Sequence, residues 1–160
     1  MRLAAARGWN VMRNFGSNAE HRDALEEYVK IAARNGYARS GANMMLERFV
    51  AIGETEDQAE RNLGRLAGAF GQFLSLYTAG GRRTVPATDG EFHADPAADR
   101  KNRPAIAISG TPGQIAAALQ QTIDETGVRR LLVETFSRQE ARLFAAEVIP
   151  VLKERNAIVA

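Results

Sequence analysis

Few side chains in this sequence are placed to do chemistry, and position picks them out better than any motif. Three apolar runs end in candidates: Arg13, Asn14 and Phe15 close the first, Val50, Ala51 and Ile52 the second, and Glu134, Thr135 and Phe136 the third. Arg13 can meet the anionic part of a ligand. Glu134 can accept a proton or position a substrate, with Phe136 beside it. Each also has a plainer reading. A phenylalanine at a strand end is more often core, and Arg13 and Glu134 can pair with each other or face solvent. The two histidines, His21 and His93, lie far apart and in no metal-ligand spacing. Both read as solvated side chains. With no cysteine, disulfides and thiolate metal sites are excluded. No metal set and no nucleophile–base pair can be read.

The elements that must carry these residues repeat one grammar: an apolar run, a helix cap, then an amphipathic helix. Residues 9–15 form the first strand candidate, and Gly16 turns the chain. Ser17 and Glu20 then make a capping-box pair. Leu25, Tyr28, Val29, Ala32 and Ala33 share one face of the helix that follows. Asn35-Gly36 is its left-handed stop. The second strand spans about 43–52, with Gly53 as its turn and Thr55 and Gln58 as its capping pair. Its helix contains Gly64, Gly68 and Gly71, which fit either a close-packed contact stripe or a break in the helix.

Residues 78–104 lose all periodicity and read as a flexible insert or lid within a single domain covering 1–160. A short apolar stretch, 105–110, then leads to Thr111, Pro112 and Gln114, a cap with proline at the first helical position. Gly127 ends that helix. Residues 128–136 form the third full strand, Ser137 and Glu140 cap the last helix, and Pro150 predicts a kink in it. Strands alternating with helices indicate an α/β fold with parallel strands and helical crossovers. No G-x-G-x-x-G or G-x-x-x-x-G-K-[ST] follows a strand, which removes support for dinucleotide and P-loop sites.

Composition limits the partners. The 160 residues carry a net charge of +2, from 18 arginines and 3 lysines against 19 acids. The charges are interspersed, so no nucleic-acid partner is expected. No apolar run approaches the roughly 18 residues of a membrane span. The N-terminal residues lack a signal-peptide core. A cytoplasmic location is the default expectation.

Several segments together resemble the C-terminal part of the luciferase-like flavin-dependent monooxygenases. Residues 109–116 and 126–133 are similar to the segment in which G-[ST]-P-E-x-[VI]-A opens a helix leading by a glycine into the last barrel strand. Gly113 stands where that family usually has glutamate. Residues 49–59 are similar to the penultimate strand and the turn after it, and residues 9–22 and 28–36 to the sixth strand and its helix. Residues 144–152 look like the closing helix.

The resemblance implies a partial (β/α)8 TIM barrel made of its last three βα units, with the half that carries much of the flavin site absent. It also implies reduced FMN as cofactor, with coenzyme F420 as the less favoured choice, and oxidation of a small organic substrate with O2. In that frame Arg13, Asn14 and Phe15 are the cofactor-binding candidates, and Glu134 and Phe136 the substrate-binding ones. The expected partners are a homodimer mate or the missing barrel half. The alternative is a non-catalytic truncated α/β domain that acts by dimerisation or by binding a partner chain, because three barrel strands leave two open edges.

Overall fold

The helix starts follow the capping signals. In a computed structural model, residues 1–14, 16–78 and 107–156 are described, with side chains of the longest helix described as far as residue 67. Helix α1 is Arg2–Ala6 and strand β1 is Val11–Arg13. Helix α2, Asn18–Arg34, opens on a complete capping box between Ser17 and Glu20. Strand β2, Met44–Ile52, leads into α3, Glu56–Thr78, where Thr55 Oγ1 accepts the Gln58 N–H at 3.2 Å. Strand β3, Ala107–Gly110, leads into α4, Pro112–Thr126, where the Thr111 N–H donates to Gln114 Oε1 at 2.9 Å. Strand β4, Arg130–Glu134, leads into α5, Arg138–Leu143, where Ser137 Oγ accepts the Glu140 N–H at 3.1 Å.

After α5 comes a π turn, Phe144–Val148, and then α6, Ile149–Arg155, with Pro150 in its first turn. A proline there lacks an N–H, and its ring crowds the preceding turn of helix. The wider π turn sits where that crowding falls. The glycine-bearing helix α3 is one continuous helix across Gly64, Gly68 and Gly71. The segment 78–104 lies, beyond Thr78, outside the described residues.

All strand pairs are parallel, and β2 is the common partner of the other three. Leu46 has neighbours in both β1 (Arg13) and β4 (Leu131), and Phe49 in both β3 (Ala107) and β4 (Glu134). The first strand is shorter than the expected 9–15. The Trp9 N–H donates to the Ala4 carbonyl at 2.8 Å, and the Trp9 carbonyl accepts the Tyr28 hydroxyl at 2.9 Å. Those backbone groups serve α1 and α2 instead of the strand ladder.

Side-chain alternation gives β2 two distinct faces. On one, Met44 and Leu46 pack with Ala5, Tyr28 and Val128, while Val50 and Ile52 pack with Ile115, Leu119 and Val148. This face is covered by α2, α4 and the C-terminal helices. On the other, Phe49 and Ala51 pack with Leu63 and Leu66 of α3. Met45 and Glu47 belong to that second face, nearer the start of the strand.

Candidate functional site

The second face of β2 gathers the polar candidates. Glu47 lies level with Leu132, and Phe49 with Glu134, so Glu134 is the diagonal same-face neighbour of Glu47. Arg13 lies level with Leu46, which brings the next residue, Asn14, level with Glu47. The contacts follow this register. Glu134 and Asn14 both bear on the Glu47 carboxyl, with opposite effects on its proton affinity. Glu47 is buried at 9% exposure, whereas Glu134 is exposed at the strand end. Phe136 continues the same face. Its ring centroid lies 6.3 Å from that of Phe49, and Phe136 is 40% exposed.

Two carboxylates repel when both are ionised, so each disfavours the charge of the other. Burial, the bond to Glu134 and the Glu134 charge hold the Glu47 carboxyl above the usual carboxylate range, and the Asn14 amide opposes this. Glu47 therefore keeps its proton to a higher pH than an isolated glutamate does.

Arg13 is turned the other way. Its Nε donates to His21 Nδ1 at 3.2 Å, on the face covered by α2. Arg48, only 2% exposed, meets His21 Nε2 at 3.3 Å, donates to the Glu47 carbonyl at 2.8 Å and donates to Asn18 Oδ1 at 3.1 Å. His21 is fully buried between the two guanidiniums. This corrects the expectation of a solvated histidine. The first turn of α2 rotates position 21 onto the sheet, where the imidazole fills the gap between Arg13 and Arg48. Burial first, then the two arginine charges, lower its pKa to about 4. His93 lies outside the described residues.

Of the sequence candidates, Asn14, Glu134 and Phe136 share one face. Arg13 stands on the opposite face, and Phe15 lies outside the described residues. Sequence reasoning passed over Glu47 and Arg48 and read His21 as solvated. One signal was available: adjacent charges, Glu47-Arg48, inside an apolar strand run must point to opposite faces, and each then needs a partner there. Among the described residues no group of three or more His, Asp or Glu is placed to hold a metal ion. An open cleft of about 550 Å³ lies elsewhere, lined by Glu56, Asp57, Glu60, Ser109 and Gln114 among others. Its carboxylates disfavour a phosphate there.

Comparison with known proteins now settles the family. The family model described as luciferase-like monooxygenase matches residues 1–130, most of the sequence. The chain belongs to the luciferase-like monooxygenase family. A search of curated proteins finds no match. Among solved structures, the monooxygenase RslO1 from Streptomyces bottropensis is similar with a TM-score of 0.67 at 19% identity, over 93% of this chain and 44% of that one. The oxygenating constituent of 3,6-diketocamphane monooxygenase from Pseudomonas putida, solved with FMN, gives 0.64 at 18% identity, over 94% and 45%. The coenzyme F420-dependent tetrahydromethanopterin reductase from Methanopyrus kandleri gives 0.62 at 14% identity, over 95% and 48%.

This luciferase-like chain spans less than half the length of each of these structures. The parallel strands and the partial coverage make it a part of a (β/α)8 barrel. Among the described residues no helix is long and apolar enough to cross a membrane.

Proposed function

We propose that this chain is the C-terminal portion of a flavin-dependent oxidoreductase that, within a complete barrel, oxidises a small organic substrate with reduced FMN and O2. The observation that carries the reading is the shared face of Asn14, Glu134 and Phe136 at the C-terminal ends of parallel strands, with Glu47 deeper on the same face, since barrel enzymes of this architecture place their working groups at those ends. Family membership and the FMN-bound relative support the cofactor. The F420-dependent relative makes a deazaflavin the second choice.

The residues present fit the flavin ring in part. Phe136 and Met12, 40% and 53% exposed, offer apolar surface to an aromatic ring, and Asn14 and Glu134 offer polar edges. A bound flavin would supply the electron transfer and oxygen chemistry. The chain's own groups would orient the ring and substrate, and the carboxyl pair would hold a proton beside them. The phosphate is another matter. The described side of this face carries two glutamates; its one arginine, Arg130, sits at the far end of β4 and donates to the Ala42 carbonyl, and Arg13 is committed to His21. The phosphate grip therefore belongs to the strands that complete the barrel. Cytoplasmic location and a dimeric or two-part assembly belong to the same proposal.

Titration of the purified chain into FMN, followed by flavin fluorescence, tests this reading. Saturable quenching that weakens in Phe136→Ala supports it, and unchanged fluorescence with a folded chain overturns it. The second reading is a non-catalytic domain that works by dimerising or by binding a partner chain. Exposed Met12 and Phe136, with no strand among the described residues on the outer edges of β1 and β4, favour it. A stable dimer on gel filtration without flavin binding would select that reading.

A further inference from the structure

One buried oxygen atom near the strand ends is left without a hydrogen-bond partner. Glu140, in the first turn of α5, is 3% exposed, and its Oε2 accepts no bond. Its other oxygen, Oε1, accepts the Ser137 hydroxyl at 2.9 Å. The cation beside it is Arg65 of α3, with Nη2 3.8 Å from Glu140 Oε1. That separation balances charge but is too long for an N–H···O bond. Arg65 Nη2 donates instead to Asn62 Oδ1, and Asn62 Nδ2 donates to the Ile52 carbonyl at 2.7 Å. The contacts therefore reach the C-terminal end of β2, and Ser137 lies just past the C-terminal end of β4. Phe136, next to Ser137 in the chain, is 40% exposed there. A buried acceptor without a donor costs free energy, and native ones call for a reason. A carboxylate only accepts, and Arg65 already supplies the opposite charge, so what Oε2 lacks is an uncharged N–H or O–H. The Arg65 side chain is 67% exposed and carries five N–H donors in its guanidinium.

We propose that Glu140 and Arg65 read the imide edge of a planar ring at the ends of β2 and β4. Glu140 Oε2 accepts the ring N–H, Arg65 donates to the carbonyl beside that N–H, and Phe136 offers an aromatic face to the ring. A rotamer change of the exposed Arg65 side chain opens the buried oxygen to the ligand. The pyrimidine end of a flavin presents such an edge, and so does a substrate that contains a cyclic imide. The flavin as its source rests on the proposed function. The edge itself rests on the unpartnered carboxylate oxygen and the guanidinium next to it.

Lumiflavin and 3-methyllumiflavin differ by one methyl group on the imide nitrogen, and flavin fluorescence measures the binding of each to the purified chain. The wild type is expected to bind lumiflavin at least about tenfold more tightly, the usual size of a hydrogen bond to a charged group. Glu140→Gln keeps an acceptor oxygen without the charge and should shrink the preference, and Glu140→Ala should abolish it. A merely structural Glu140 would leave the preference in place. Arg65→Met should weaken both flavins alike, and unchanged affinity there overturns the two-point edge. Circular dichroism checks that each variant is folded. Equal binding of the two flavins by the wild type overturns the proposal and leaves the flavin reading standing, with an ordered water as the occupant of the site. A preference that survives in Glu140→Ala overturns it too, because the methyl group then clashes elsewhere.

If the folded chain binds neither flavin, the flavin reading falls, and glutarimide against N-methylglutarimide decides the inference. The readout is the carbon-13 signal of the Glu140 side-chain carboxyl, assigned by its loss in Glu140→Gln. Movement with glutarimide alone upholds the imide edge, with the substrate as its source. No movement, or equal movement with both, overturns it.

Discussion

At the residue scale, two buried titratable groups pull stability in opposite directions with pH. His21 sits between the Arg13 and Arg48 guanidiniums, both of them donors. A neutral imidazole offers one acceptor nitrogen, and a protonated one would add a third positive charge in a buried space. Its pKa is lowered from 6.5 to about 4. The unfolded chain therefore binds a proton more readily than the folded chain between those values. The contribution of His21 is complete above about pH 6.5 and is lost as pH falls toward 4. Linkage bounds the loss at about 3 kcal/mol. The urea midpoint should fall across that interval, and His21→Gln should flatten the fall. A midpoint equally steep in the variant would refute a buried neutral histidine.

Glu47 has the reverse sign, since its folded pKa is raised. Its contribution is present below the unfolded carboxylate value and is lost as pH rises through the folded one. Glu47→Gln should therefore stabilise the chain at pH 7, with the gain gone in acid. Urea denaturation at the two pH values measures this. A variant less stable than wild type at pH 7 would show that the carboxylate itself is needed for packing.

At the element scale, two glycines, one before α3 and one inside it, should respond oppositely to alanine. Gly53 carries the chain from β2 into α3, and a Cβ there would press into the backbone of Gln58 and Ala59. Gly64 lies inside α3 with nothing within 4 Å of an added Cβ. Gly53→Ala should cost at least about 2 kcal/mol, because backbone must shift. Gly64→Ala should gain up to about 1 kcal/mol from helix propensity. Thermal or urea unfolding measures both. A destabilised Gly64→Ala would show that something packs on that side of α3 in solution, as the contact-stripe expectation holds.

These glycines also mark what was legible from sequence. Caps and stops such as Ser17–Glu20 and Gly127 are local, because their partners lie within four residues, and they were readable directly. The length of β1 was not, since the Trp9 backbone is claimed by α1 and by Tyr28, which is 19 positions away. The carboxyl pair was half readable. Glu134 stood at a strand end, while Glu47 depended on the register between β2 and β4, which no local signal sets.

At the scale of the whole molecule, one face of the central strand is sealed by α2, α4 and the closing helices, while the other keeps Met12 and Phe136 at the surface. Under the proposed function, the part of that second face not covered by α3 would look into the complete barrel, and its aromatic, amide and carboxyl groups would wall a ligand site. Under the proposed function two jobs are divided: this chain would touch the flavin ring, and the rest of the barrel would grip the phosphate. Fluorescence titration of the folded chain with riboflavin and FMN side by side tests that division most directly. The account expects saturable quenching of both, with dissociation constants within about threefold (under about 0.7 kcal/mol), and weaker quenching in Phe136→Ala. No quenching of either flavin by the folded chain would contradict it.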